Sequence, residues 1–279
     1  MTDWTKYVAF KGPVVMIGFG SIGKGSLPLI LRHIDLDPSQ VTVVTPEAEG
    51  RAIAEEMGVA YIQQAITPEN MAATLDPLLG EAGGFIVNLS VEVSSVDLMR
   101  YAASKKALYI DTCIEPWPGG YTDASLSLSE RSNYALREGM LALRKELGAS
   151  SSTAVVTHGA NPGMVSHFVK QALMNLAADK GQAAAAPTTR EGWGQLARDL
   201  GVKGIHIAER DTQVTQGGKP KDIFYNTWSI DGFISEGLQP AELGWGSFEG
   251  ELPFDGAEHD YGCDGQQACT GSKIRKRKR

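Results

Sequence analysis

The chain has 279 residues, 42% of them hydrophobic and 21% charged, with a net charge of −7. That is enough apolar material for one large domain or two smaller ones with real cores, and it argues against general disorder. No apolar run approaches a membrane span, and the opening MTDWTKYVAF lacks the basic start and apolar stretch of a secretory leader. Three cysteines, Cys113, Cys263 and Cys269, are too few and too scattered for a disulfide framework, so a reducing cytoplasm is the expected compartment. Cys263 and Cys269 with His259 fit no common zinc spacing, and no metal is expected.

The apolar run VVMIG (14–18) reads as a strand that enters GFGSIG (18–23), and a helical stretch follows to about His33. VTVVT (41–45) reads as a second buried strand. Thr45-Pro46-Glu47 is then expected to open a helix, with Thr45 as N-cap and Pro46 in the first helical position. A short third strand covers 61–64, and Thr67-Pro68-Glu69 repeats the helix-starting chemistry. FIVNLS (85–90), a helix from about Ser94 and ALYID (107–111) complete a regular alternation, and TAVVTHG (153–159) looks like a further strand. Such alternation predicts an α/β fold with a doubly wound parallel sheet of Rossmann type over residues 1–160.

Beyond residue 160 the rhythm changes, and residues 161–246 are expected to begin an α+β substrate domain. Residues 162–179 read as a helix. GQAAAAP (181–187) reads as a surface linker. Thr188-Thr189-Arg190-Glu191 reads as a capping box for a helix to about Leu200. GIHIAE (204–209) and DIFYNTW (222–228) alternate like strands. From about Ser247 the periodicity fades, and 247–279 reads as a divergent, poorly structured tail. Its last seven residues, KIRKRKR, contain six basic ones. That run reads either as a nucleic-acid or nuclear-localisation patch or as a solvated end. The acidic remainder of the chain disfavours nucleic acid as a partner.

GxGxxG placed between a strand and a helix is the context in which this motif points to a dinucleotide. Gly18 allows the tight turn, Gly20 lets the backbone approach a pyrophosphate, and Gly23 lets helix and strand pack closely. The helix N-terminus then faces the phosphate charge. The second strand ends in Thr45 where a ribose-binding carboxylate is expected. Glu47 stands two residues on as a substitute, and nearby Arg51 would suit a 2′-phosphate, so these residues leave NAD and NADP both open. Asn88 and Ser90 at the end of the fourth strand either line the cofactor crevice or serve ordinary turn chemistry.

DTCIEPW (111–117), HGANPGM (158–164), IHIAERD (205–211) and NTWSIDGFISEG (226–237), followed by LQPAELGWG, together resemble bacterial homospermidine synthase, a member of the saccharopine dehydrogenase-like group. The resemblance runs nearly continuously from residue 1 to about 246. It implies an NAD-dependent transferase that joins two putrescines, or putrescine and another polyamine, with release of ammonia. In that chemistry a hydride leaves an amine-bearing carbon for NAD, a second amine replaces ammonia on the resulting imine, and the hydride returns. The resemblance also implies a homodimer, and the lack of an apolar span leaves no membrane partner expected.

By resemblance, Trp228 is the catalytic aromatic, its ring facing an ammonium or iminium; from the residues alone a lone Trp reads more often as core. Glu209 and Glu236 match carboxylates that bind the amine and assist proton transfer, against a plain reading as surface charge. Glu115 matches a residue near the pocket entrance, or is a loop carboxylate. Asn161 orients an amine or the nicotinamide, or caps the helix after it. The motif and the resemblance assign cofactor contacts to Gly18, Gly20, Ser21, Ile22, Gly23, Thr45, Asn88, Ser90, Asp111, Thr112, Asn161 and Pro162. His158 is assigned no role.

After GWGSFEG the resemblance fails, and the composition shift reads as a truncated or frameshifted end. Two rival readings remain: a saccharopine-type NAD(P)-dependent amino-acid dehydrogenase, and a non-catalytic dinucleotide-binding fragment. An amino-acid site would need cations to grip carboxylates, whereas the segment around Trp228 offers acids.

Overall fold

The computed structural model describes residues 4–81, 83–127, 130–149, 152–182, 185–210, 212, 216–218, 220–223, 229–238, 241–244, 256–258 and 268–271. The chain forms two compact units, Met1–Thr157 with Asn226–Arg279, and His158–Tyr225.

In chain order the first unit contains β1 (Val8–Ala9), β2 (Val14–Ile17), α1 (Ser21–His33), β3 (Ile34–Asp35), β4 (Val41–Thr45) and α2 (Arg51–Glu56). It continues with β5 (Ala60–Gln63), α3 (Met71–Leu79), β6 (Phe85–Asn88), α4 (Ser95–Ser104), β7 (Leu108–Asp111), α5 (Asn133–Leu147) and β8 (Ala154–Val155). Six strands form one parallel sheet in the order β5-β4-β2-β6-β7-β8. The order reverses between β2 and β6, where an open α/β sheet leaves a crevice at the carboxyl ends of its strands. Val14 and Met16 of β2 turn to one face with Leu27 of α1 and Ala54 of α2. Val15 and Ile17 turn to the other with Leu75, Leu98 and Met140. Both faces of β2 are therefore buried, which is why it reads as an unbroken apolar run.

Two expected helix starts move. Thr45 is still in β4, paired with Gln63 of β5, and its hydroxyl donates to Glu47 instead of capping a helix. α2 begins only after Gly50. Thr67 opens a turn in which its amide donates to Asn70 Oδ1 (2.8 Å), and α3 follows from Met71. In both places Pro fits the turn as well as the first helical position, so local chemistry could not fix the boundary. Ser94 does cap α4, accepting from the Asp97 amide at 3.2 Å. α5 was not anticipated from the sequence.

The later segment of this unit carries α8 (Ile230–Leu238) and an antiparallel sheet in the order β10-β11-β9, from β9 (Ala241–Gly244), β10 (Gly256–Glu258) and β11 (Ala268–Gly271). The latter two strands fall within 247–279; the rest of that stretch, with Cys263, His259 and the basic end, lies outside the described residues.

The second unit contains α6 (Met164–Asp179) and α7 (Arg190–Asp199), packed through Leu173, Ala177 and Leu200. Thr189, rather than Thr188, caps α7, accepting from the Gly192 amide at 3.1 Å. Residues 204–209 are exposed and form no strand. A strand needs a ladder partner, and none pairs with them among the described residues. Of 222–228, Asp222 lies in a turn, Ile223 is in no regular element, and 224–228 lie outside the described residues.

Candidate active site

The turn after β2 is shaped by close backbone approach. The Gly18 amide donates to Val44 O (2.9 Å), and Ile17 O accepts from the Leu89 amide (2.7 Å). Gly18 has φ +86°, and a Cβ there would stand 2.6 Å from Ser90 N and Cα. A Cβ on Gly23 would meet Gly18 O at 2.8 Å, which keeps α1 tight against the strand. Gly20 differs: it is exposed, it is the N-cap of α1, and a Cβ there would meet nothing within 4 Å. No side chain caps α1, so the first-turn amides of Ser21, Ile22 and Gly23 face the space in front of Gly20. Backbone donors at a helix start, with room in front, fit a pyrophosphate.

At the adenosine end of such a crevice, the buried Thr45 donates its hydroxyl to Glu47 Oε2. Tyr61 donates its hydroxyl to Glu47 O at 2.6 Å. Arg51 is engaged elsewhere: its guanidinium lies 4.8 Å from the Tyr61 ring centroid and 3.8 Å from Glu55.

The ends of β6, β7 and β8 are tied by one buried network. Asn88 Oδ1 accepts from Ser90 Oγ (2.6 Å), and Asn88 Nδ2 donates to Tyr109 OH (3.2 Å). Tyr109 OH donates to Asp111 Oδ2 (2.8 Å), and the Thr157 amide donates to Asp111 Oδ1 (2.6 Å). Asn88 is 2% exposed and Asp111 0%, so their side chains brace the sheet edge from within, whereas Ser90 and Thr112 are partly exposed. Burial raises the Asp111 carboxyl above the ordinary range, against the pull of its hydrogen bonds.

Beside this edge, the loop after β7 carries Glu115, only 7% exposed. Its backbone is pinned at the start of α4. Ser95 Oγ accepts from the Glu115 amide (3.0 Å), and the Ser95 amide donates to Glu115 O (2.9 Å). Glu115 Oε2 accepts from the Glu92 amide at 3.3 Å. Burial pushes this carboxyl up to about 7, opposed by the Glu92 amide and by the Tyr121 hydroxyl. Burial also lifts the neighbouring Cys113 thiol to about 12, with the Glu115 and Asp111 charges adding to it. Glu236, exposed on α8, accepts from Asn133 Nδ2 at 3.2 Å, and its charge is felt at Cys113. Trp117 points away, donating Nε1–H to Asp97 Oδ2 at 2.6 Å.

The first unit therefore brings together Gly18, Gly20, Ser21, Ile22, Gly23, Thr45, Ser90 and Thr112 along one sheet edge, with Glu115 beside it. Trp228 lies outside the described residues. Asn161, Pro162 and Glu209 belong to the second unit, where all three are exposed. Asn161 does not cap α6, whose N-cap is Gly163. It sits in a turn closed by the Gly159 amide on Pro162 O (2.9 Å) and the Met164 amide on Gly159 O (2.9 Å). Sequence reasoning missed Ser95 and Asn133, which act across long separations, and Tyr121, which a reversal of the loop returns to Ile114 and Glu115. The two glycines before Tyr121 were the only local hint that the loop folds back.

Among the described residues no cluster of three or more potential metal ligands occurs, and no helix is long and apolar enough to cross a membrane. The chain is 58% identical over 265 residues to homospermidine synthase of Blastochloris viridis, covering 94% of this chain and 55% of that protein. It is 54% identical over 264 residues to the Mesorhizobium japonicum homospermidine synthase, covering 93% and 54%. The chain thus spans about half the length of the curated relatives it matches. A crystal structure of Legionella pneumophila homospermidine synthase in complex with NAD superposes with a TM-score of 0.77 at 40% identity, over 96% of this chain and 55% of that one. Residues 14–155 match the saccharopine dehydrogenase NADP binding domain and residues 159–269 the saccharopine dehydrogenase C-terminal domain. With both domain models matched in succession, and the first spanning the parallel sheet and its glycine turn, the chain belongs to the saccharopine dehydrogenase family.

Proposed function

We propose that this chain carries homospermidine synthase chemistry: NAD-dependent aminobutyl transfer that joins two putrescines, or putrescine and another polyamine, and releases ammonia. The observation that carries the reading is a buried carboxyl, Glu115, at the same sheet edge as the uncapped start of α1. A dinucleotide site alone does not call for a buried acid; a cationic substrate does. NAD, when bound, supplies a reversible hydride acceptor. The amides of Ser21, Ile22 and Gly23 would hold its pyrophosphate, and Ser90 and Thr112 would flank it, braced by Asn88 and Asp111. The carboxylate of Glu47 at the ribose corner would favour a 2′-hydroxyl over a 2′-phosphate, since Arg51 is drawn to Tyr61 and Glu55. We therefore read the cofactor as NAD, the one bound in the Legionella structure.

In the same reading Trp228 offers its ring face to the reacting cation, a contact worth roughly 0.5–2 kcal/mol. Glu209 and Glu236 hold amines and move protons, Glu115 receives the incoming ammonium, and Asn161 with Pro162 borders the nicotinamide. A homodimer belongs to this reading on the strength of the family resemblance, and a cytoplasmic location on the few, scattered cysteines. The test is incubation of the chain with NAD and putrescine carrying deuterium at C1, with mass spectrometry of the products. Homospermidine that retains deuterium, with ammonia and without net NADH, supports the reading. Net NADH with an amino acid would favour the saccharopine-type dehydrogenase, and NAD binding without product the non-catalytic alternative.

A further inference from the structure

Glu115 is held out of solvent, yet no lysine, arginine or histidine forms an ion pair with it among the described residues. An unpaired buried carboxylate is costly, so such a group either carries a proton or awaits a cation. Its surroundings offer little positive charge. Glu92 faces it from the β6–α4 loop, and Cys113 from the end of β7, where the Asp111 and Glu236 charges are also felt. Arg131 spends an Nη1–H on Tyr121 O at 3.4 Å, and its Nε is buried without a hydrogen-bond partner among the described residues.

Tyr121 is the remaining neighbour. The chain reverses at Gly120, where a Cβ would stand 2.5 Å from Pro116 Cβ, and this turn returns the ring to the Glu115 segment. Tyr121 is 5% exposed. Its hydroxyl donates to Ile114 O at 3.2 Å, the carbonyl adjoining Glu115, and its nearness draws the Glu115 carboxyl down against the effect of burial. The hydroxyl proton is spent on Ile114 O, with the Glu115 carboxyl as the alternative acceptor on the next residue.

We propose that Tyr121 is a positioning residue for Glu115, its hydroxyl turning between the Glu115 carboxylate and the Ile114 carbonyl as Glu115 loses or gains a proton. With Glu115 ionised, the hydroxyl donates to the carboxylate. With Glu115 protonated, the carboxyl donates to the phenol oxygen and the phenol proton goes to Ile114 O. Each state is hydrogen-bonded, so the site waits in neutral form and exchanges its proton with solvent for the primary ammonium of a diamine. One positive charge leaves as one arrives. Burial of the carboxyl, which brings it up to about 7, places this exchange near neutral pH. The inference rests on Glu115 as an amine site, and the experiment separates the two.

The test is carbon NMR of the Glu115 side-chain carboxyl in the full chain with NAD, assigned by its disappearance in Glu115→Gln and titrated from pH 5 to 9. In wild type the midpoint is expected near neutrality. Tyr121→Phe keeps the ring but removes a donor to the charged form, and should raise the midpoint by about one unit. The Tyr121 ring Cζ resonance of the unaltered protein, which needs no substitution, should shift with the same midpoint as Glu115. Putrescine should lower the wild-type midpoint by about one unit or more, because a neighbouring cation favours the carboxylate. A Tyr121→Phe midpoint equal to wild type, or a Cζ resonance flat across the titration, overturns the positioning role. If putrescine leaves the midpoint in place while both Tyr121 readouts move, the amine-site reading fails and the Tyr121–Glu115 coupling stands.

Discussion

Gly18 and Gly20 lie two residues apart in one motif, and the structure separates their duties. In Gly18→Ala the new Cβ would lie 2.6 Å from Ser90 backbone atoms, about 1 Å inside ordinary carbon contact, against backbone rather than a side chain that could turn aside. Overpacking of that kind costs about 1–3 kcal/mol, and a left-handed φ of +86° adds about 1–2. The total of about 2–5 kcal/mol should lower Tm by about 10 °C for a unit of this size. In Gly20→Ala the Cβ meets nothing within 4 Å, and only the poorer N-cap remains, worth about 0.5–1 kcal/mol. Its Tm should fall by no more than about 3 °C. NAD at a hundredfold excess over its Kd stabilises wild type by about 2.7 kcal/mol, a rise of about 5–10 °C. That rise should vanish in Gly20→Ala, because the methyl group fills the space in front of the α1 amides. Thermal unfolding by circular dichroism with and without NAD reads both effects, and calorimetry gives the affinity. The reasoning is refuted if Gly20→Ala keeps the NAD-induced rise, or melts as early as Gly18→Ala.

Asp111→Ala strips the Thr157 amide and the Tyr109 hydroxyl of their buried acceptor, and should cost about 2–5 kcal/mol in urea unfolding; a loss below about 1 kcal/mol would mean that water replaces the carboxylate. Because the folded-state pKa of Asp111 is raised, its protonated form is the one folding favours. The stability it contributes is complete below the unfolded value near 4 and declines as pH rises through the folded value, so wild type should lose ground to Asp111→Asn as pH rises above about 4. Glu47→Gln should narrow the preference for NAD over NADP by about tenfold in calorimetric Kd ratios, about 1.4 kcal/mol, and an unchanged ratio would move discrimination away from this residue. Trp228→Ala, placed in a chain of the relatives' full length, should abolish aminobutyl transfer with NAD still bound; undiminished turnover removes the cation–π role. Glu236→Gln should weaken putrescine binding more than NAD binding, and equal loss of both would indicate a folding defect.

The dinucleotide half was legible because its signals are local. VVMIG, GFGSIG, VTVVT and FIVNLS each state their conformation within a few residues, and two buried faces leave a continuous apolar run. The resemblance carried Glu115, Glu209, Trp228 and Glu236 as a set, since four short segments in order identify a family without any knowledge of contacts. Helix starts were less legible, because Thr-Pro-Glu suits a turn as well as a first helical turn, and only the pairing of Thr45 with Gln63 kept that residue in the strand. The alternation in 204–209 misled because periodicity records which side chains are apolar, not whether another strand lies alongside.

The sequence by itself determined the parallel sheet and the glycine turn, both of which depend on spacing along the chain. Tertiary structure alone decided that Asn88 and Asp111 brace the sheet edge from inside, that Gly18 lies against Ser90, and that Glu115 is pinned by Ser95 and faced by Tyr121. Burial and hydrogen bonding are properties of neighbours brought together by folding. The same carboxyl group is ordinary in a solvated loop and perturbed in a closed one, and only packing chooses between them.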